Sequence, residues 1–324
     1  MSEQAVRVSL PILPARTDAG SPTQSRLWHS SGESSKPVKI LSQHLYIEPI
    51  SSCNLHCRMC YTNVVNGPSR RLLEAEPIVD FVLRYANVTA APFSIYWCGT
   101  GEVMLHRSFP DMVNRIQAGA PQVEQIIQTN GTVKRLAEFQ DLTRIDFRVS
   151  IDGVKPLHEW HRGPKTYDRT VAFCRDALDR GCRSMNIRCL VTLDNIVLLD
   201  EFAADLTAAL GPRYTLSLTV PYANPALSRV RAASALINRN EIEDNRIITF
   251  EEAARICKER YQGRYTLAVD DEVDNYLSLS SGGVYTCCEG VVRIGDLADP
   301  IETLIERMAG SEAACRSCAL FPCQ

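Results

Sequence analysis

Three cysteines, Cys53, Cys57 and Cys60, fall within eight residues of the stretch IEPISSCNLHCRMCYTN, directly after a short apolar run. Three thiolates on one tight loop suit either of two metal chemistries. Zinc asks for a fourth ligand to close a tetrahedron; an iron-sulfur cluster can leave one iron without a protein ligand. The spacing, three residues and then two, differs from the paired CxxC knuckles of zinc ribbons. The one alternative ligand nearby, His56, sits inside the loop and is expected to turn away. An open iron is therefore the better reading. A metal with a vacant position can bind and activate a small molecule, as catalytic zinc does with water.

Such a loop works only if a scaffold holds it against other polar groups, and the sequence supplies one. From Gln43 onward, strand-like and helix-like stretches alternate. HLYIEP, FSIYW, VEQIIQT, IDFRVSI, NIRCLVTL and YTLSLTV read as strands, each short and mostly β-branched or aromatic. RRLLEAEPIVDFVLRYA, RSFPDMVNRIQAGA, VKRLAEFQDL, YDRTVAFCRDALDRG and VLLDEFAADLTAAL read as the helices between them. This order predicts right-handed βα units around one parallel sheet. Six strands are too few for a closed eight-stranded barrel; a doubly wound sheet and a partial barrel both fit. In either case the loops at the C-terminal ends of the strands form the functional face. Those loops carry the cysteines, then CGTGE (Cys98 to Glu102), TNGT (Thr129 to Thr132) and VSIDG (Val149 to Gly153), with Arg188 in the fifth strand. Gly99 and Gly101 allow close approach of backbone to a ligand. Glu102 can accept from an ammonium group, Arg188 can pair with a carboxylate, and Ser150 and Thr129 can bond hydroxyls. The polar stretch HEWHRGPK, His158 to Lys165, reads as a solvated loop at the entry.

Composition removes several classes of function. At 324 residues and a formal charge of −3, the chain has no basic field that would draw it to nucleic acid. No run approaches the roughly 18 apolar residues of a membrane span, and the N-terminus lacks the basic start and apolar core of a signal peptide. A cytoplasmic protein is expected. Thirteen cysteines in such a chain point to metal or catalysis rather than to disulfides. Cys98, beside the glycine-rich turn, and Cys174, Cys182, Cys189 and Cys257 read as small buried hydrophobes.

The order and spacing of these segments resemble the radical S-adenosylmethionine (SAM) enzymes. The resemblance covers about residues 43–220 as a partial (β/α)6 TIM-like barrel. It rests on Cys53-x3-Cys57-x2-Cys60 after the first strand, CGTGE as a GGE-type element after the second, and QTNGT and VSIDG beyond. Two departures are Met59, where an aromatic residue often precedes the third cysteine, and the threonine inside GTGE. The resemblance implies that Cys53, Cys57 and Cys60 hold a 4Fe-4S cluster whose open iron chelates SAM. One electron from the cluster would then cleave SAM to a 5′-deoxyadenosyl radical that abstracts hydrogen from the substrate. It further implies that Gly99, Gly101, Glu102, Thr129, Asn130, Ser150, Arg188 and Tyr61 bind SAM, with a reductase, flavodoxin or ferredoxin as electron donor.

The tail, GGVYTCCEG followed by CRSCALFPC, resembles the SPASM and twitch subfamily. Five tail cysteines support one second, auxiliary 4Fe-4S cluster rather than the two of a full SPASM domain. Its implied ligands are Cys287, Cys315, Cys318 and Cys323, with Cys288 interchangeable with Cys287; a structural zinc site on the same thiols is the alternative. Cys288, or Cys257, could then be a free thiol that donates a hydrogen atom to a substrate radical, which makes Cys288 the catalytic candidate. The chain thus divides into an N-terminal arm (1–42), a core (43–221), a bridging segment (222–264) and a cysteine-rich twitch/SPASM-like domain (265–324). A short one-cluster enzyme of this kind resembles those acting on small polar molecules such as sugar, aminocyclitol or nucleoside-like natural-product intermediates, by epimerisation, dehydrogenation or decarboxylation. The arm offers no room for a peptide-recognition domain, so a peptide substrate is the second reading. A non-catalytic iron-sulfur or zinc protein is a third, disfavoured because CGTGE and VSIDG share the face of the cysteines.

Overall fold

The computed structural model describes residues 43–58, 60, 71–89, 92–220, 248–267, 277–286 and 292–311. Six strands run parallel and lie in chain order: β1 (His44–Ile47), β2 (Ser94–Trp97), β3 (Glu124–Thr129), β4 (Ile145–Ser150), β5 (Ser184–Leu190) and β6 (Thr215–Thr219). Because every crossover steps the same way and such crossovers are right-handed, their helices fall on one face of the sheet. That settles the choice left open by periodicity: a partial barrel, since a doubly wound sheet needs a reversal of strand order.

The helical layer contains α1 (Ala75–Val88), α2 (Phe109–Gly119), α3 (Lys155–Arg162), α4 (Thr166–Asp179) and α5 (Leu199–Leu210). Apolar residues on alternate strand positions, among them Leu45, Ile47, Ile95, Trp97, Phe147, Val149 and Ile187, are buried against it. The opposite face of the sheet is polar. The register sets Tyr46 beside Tyr96, Gln128 beside Arg148, and Arg148 beside Asn186. Tyr46 and Tyr96 stack with centroids 4.9 Å apart, and the Arg148 guanidinium lies 4.6 Å from the Tyr96 ring.

The C-terminal region extends the same sheet. β7 (Leu277–Ser280) pairs parallel with β1, and β8 (Gly283–Tyr285) and β9 (Arg293–Gly295) follow in antiparallel order. Two further helices, α6 (Phe250–Tyr261) and α7 (Ile301–Gly310), join the outer layer. Tyr261 of α6 donates its hydroxyl to Ile196 O at 2.7 Å, and Arg84 of α1 reaches Asp299 O, just before α7, at 2.9 Å.

Two local expectations are corrected. VKRLAEFQDL is not a helix: it holds one short 3₁₀ turn, Leu136–Glu138, and its last residue opens a second, Leu142–Arg144. Side chains satisfy its backbone instead: Asn114 bonds Glu138 O and Gln140 N, and Asp141 accepts from Thr143 N. HEWHRGPK is not a solvated loop. Its first five residues belong to α3, whose spacing of three and four puts His158, His161 and Arg162 on one inward face.

Candidate active site

The cysteine loop leaves β1 and is tied to both neighbouring loops. Glu102 N donates to Ser52 O at 2.9 Å, and Cys98 N donates to Ile47 O at 3.1 Å. A Cβ on Gly101 would stand 2.5 Å from the carbonyl oxygens of Ile50 and Ser52, so the glycine element packs backbone on backbone against the entry to the loop. Gly99 has φ +132° and lies against the Glu48 side chain, whose carboxylate accepts from Thr100 Oγ1 at 2.7 Å. Asn130 supplies a second tie. Its amide donates to Asn54 Oδ1 at 3.0 Å and to Cys53 Sγ at 3.8 Å, while its Oδ1 accepts from Thr132 N and Thr132 Oγ1.

Glu102 is buried and serves as the hub between these loops. Oε1 accepts from Thr129 Oγ1 at 2.7 Å and Met104 N at 3.1 Å, and Oε2 accepts from Asn130 N at 2.7 Å. Three of a carboxylate's roughly four acceptor positions are thus used within the protein. Burial raises its pKa in spite of these donors. Ser150 and Arg188 stand abreast on β4 and β5, facing away from the helices, and Ile151 N donates to Arg188 O. Tyr61 and the tail cysteines Cys287, Cys288, Cys315, Cys318 and Cys323 lie outside the described residues.

The three loop cysteines are half-buried and close enough for the charges of Cys53 and Cys60 to act on Cys57. Burial pushes the Cys57 thiol up to about 11 and raises Cys53 as well. His56 is exposed, as expected. Among the described residues no three His, Cys, Asp or Glu side chains converge on a single ion. A cluster does not ask that of its ligands, since each thiolate binds a different iron.

Sequence reasoning missed the group beneath this loop. Asp152, from VSIDG, is 1% exposed and accepts from Arg162 Nε at 2.5 Å and from Leu190 N at 3.0 Å. Burial alone would raise the Asp152 pKa, but the Arg162 charge and hydrogen bond, with His158 and Leu190 N–H, hold it low. Burial pushes His158 down to about 4, and its Nδ1 accepts from Asp152 N. The signal was available: a histidine, histidine and arginine at helical spacing, six to ten residues after an aspartate.

A part-barrel bearing a three-thiol loop at the C-terminal rim, pinned by a glycine turn and a buried glutamate, defines a class of cluster-and-cofactor enzyme. The family model for the Radical SAM superfamily matches residues 47–209, and the chain belongs to that superfamily. It is similar to the Mycofactocin maturase MftC of Mycolicibacterium smegmatis (strain ATCC 700084 / mc(2)155), with 26% identity over 185 residues, 54% of this chain. The match spans 43% of that protein, less than half its length. Among solved structures, Streptococcus suis SuiB bound to precursor peptide SuiA shares the fold at TM-score 0.55 and 15% identity, covering 86% of this chain and 70% of that one. The anSMEcpe structure with bound AdoMet and Cp18Cys peptide does so at 0.56 and 17%, covering 82% and 81%. Likeness at these identities speaks to fold.

Enzymes of this superfamily use a 4Fe-4S cluster and SAM, and SuiB has also been solved bound to S-adenosylmethionine. The residues present fit these groups. The loop offers three thiols and an exposed His56 turned to solvent, its rim is a backbone cradle that a Cβ would fill, and the buried Ser52 hydroxyl beside Cys53 has no partner among the described residues. Among those residues, no helix is long and apolar enough to cross a membrane.

Proposed function

We propose that this radical SAM enzyme modifies a peptide. The observation that carries the reading is that two structures sharing its fold are named with peptides, SuiA in SuiB and Cp18Cys in anSMEcpe, while the relative MftC is named a maturase. The chain's own contribution is the polar face of the sheet, opposite the described helices. Tyr46, Tyr96, Gln128, Arg148 and Asn186 offer a stacking surface, hydrogen-bonding amides and one cation suited to a polar chain. The sugar or aminocyclitol expected from the sequence finds less support among these relatives.

In this reading Cys53, Cys57 and Cys60 hold the cluster. Gly99, Gly101, Glu102, Thr129, Asn130, Ser150, Arg188 and Tyr61 surround SAM. When bound, these groups supply a one-electron cleavage that yields a hydrogen-abstracting radical. Glu102 and Asn130 keep the three loops in register, and Gly101 lets the rim close on the cysteine loop without a side chain between. An auxiliary cluster on Cys287, Cys315, Cys318 and Cys323, with Cys288 as ligand or hydrogen donor, belongs to the same proposal, as do the domain bounds near 222–264 and an external reductase, flavodoxin or ferredoxin.

The test is anaerobic turnover with SAM and reductant against a panel of peptides and a panel of sugars and aminocyclitols, read by 5′-deoxyadenosine and product mass. Mass change confined to peptides is expected; turnover of sugars or aminocyclitols alone overturns the peptide reading. Changing Cys53, Cys57 and Cys60 together to Ala should leave about four irons per chain if the tail holds a four-iron cluster.

A further inference from the structure

Helix α3 ends against the cysteine loop. Its last carbonyls, which have no partner within a helix, are taken by one residue of that loop. Arg58 N donates to His161 O at 2.8 Å, Arg58 Nε donates to Trp160 O at 3.0 Å, and the Arg58 guanidinium lies 4.5 Å from the Trp160 ring centre. The next residue along the helix is Arg162, whose side chain is 16% exposed. Its Nε is anchored on Asp152, and Asp152 is anchored in turn by Leu190 N, at the end of β5. Asn195 closes the arrangement by donating to Asp152 O at 3.3 Å and to Leu190 O at 2.8 Å. A chain of bonds therefore runs from β5 through Asp152 and Arg162 to the helix end that grips Arg58, the neighbour of Cys57.

This pair is polarised toward the loop. Arg162 follows His161, whose carbonyl accepts from the N–H of Arg58 beside Cys57, so the guanidinium is carried on the helix end that meets the loop, with Asp152 behind it. A buried cation of fixed direction beside a cluster matters because the cluster gains one negative charge on reduction. Net charge and burial are among the main determinants of cluster potential.

We propose that Arg162, fixed by Asp152, is a positioning residue that raises the reduction potential of the cluster held by Cys53, Cys57 and Cys60 by presenting a buried positive charge to it. The proposal rests on those three cysteines holding the cluster. It goes beyond that reading by assigning two residues outside the ligand set, with opposite effects.

The experiment is an anaerobic redox titration of the full reconstituted chain, following the reduced-state EPR signal that changes when SAM is added. Arg162→Met should move the midpoint to more negative values by about 59 mV, a tenfold change in a one-electron equilibrium. Asp152→Asn, which keeps an acceptor for Leu190 N and removes the opposing charge, should move it the other way. Arg162→Lys should stay near wild type. Midpoints unchanged in Arg162→Met and Asp152→Asn overturn the proposal, as does a shift of both in one direction, the mark of a merely structural role. If Arg162→Met fails to load iron, Asp152→Asn decides alone: a less negative midpoint supports the proposal, and an unmoved one sinks it. Absence of any SAM-sensitive signal in wild type, or its persistence in Cys57→Ala, defeats the ligand assignment itself and is distinguishable from both.

Discussion

Glu102 and Asp152 are both buried carboxylates near the cysteine loop, and their surroundings stabilise them by different means. Glu102 is held by a hydroxyl and two backbone N–H groups, all neutral donors, and its pKa stays above the carboxylate range because burial outweighs them. Asp152 is held by a guanidinium and sits below that range. The first region is a splice that joins the loops after β1, β2 and β3 through direct bonds. The second is a support that carries a charge to the loop from behind. Loss of a neutral bond leaves unpaired donors, whereas loss of one ion from a buried pair leaves the other charge without compensation.

The comparison can be broken by mutation, the largest effect coming from the charged region. Asp152→Ala strands Arg162, 16% exposed, and should cost about 4 kcal/mol in denaturant unfolding, the range for breaking a buried pair. A loss no larger than that of an exposed pair such as Arg115 with Glu76 would show that water reaches Arg162 freely. On the neutral side, Gly101→Ala should come next, at about 3 kcal/mol, the upper end for overpacking, because its Cβ meets two backbone carbonyls that cannot swing away. It should also lower iron per chain after reconstitution. Glu102→Gln follows at about 2 kcal/mol. Every partner of Glu102 is a donor, so the glutamine amide would face the Asn130 N–H. Full retention of stability in Glu102→Gln would mean that the carboxyl is protonated and that the Thr129 hydroxyl, the one partner able to reverse its role, accepts from it.

How legible these regions were in the sequence follows from the same contrast. The Glu102 region announces itself through local signals: clustered cysteines, a glycine turn and short polar loops, each at the end of a strand-like run. Strand order and the part-barrel could be narrowed to two arrangements, and sequence could go no further because closure is set by the direction of successive crossovers. The Asp152 region depends on a helix too short and too polar to be read by hydrophobic period. Its buried face consists of His158, His161 and Arg162 rather than apolar residues, so HEWHRG reads as solvated. The lost helix at VKRLAEFQDL fails for the complementary reason. Its apolar spacing is helical, but side chains of α2 offer its backbone other partners.

The smallest expected effect separates the two regions by pH. Burial holds His158 near 4, below the ordinary value of about 6.5, so the unfolded chain binds this proton more readily than the folded one. The stability that depends on neutral His158 is therefore complete above about pH 6.5 and is lost progressively as pH falls toward 4. At pH 5.5 the loss amounts to about 1.4 kcal/mol, one proton over one pH unit. His158→Gln, which can still accept from Asp152 N, should flatten the stability curve between pH 6.5 and 5 while leaving stability at pH 8 within about 1 kcal/mol, the scale of one neutral hydrogen bond. Glu102→Gln should leave the histidine-dependent slope in place, because Glu102 is not among the groups acting on His158. If His158→Gln keeps the full acid slope, the proton uptake belongs to His161, also lowered by burial, and the sensitive point moves one helical turn closer to Arg58.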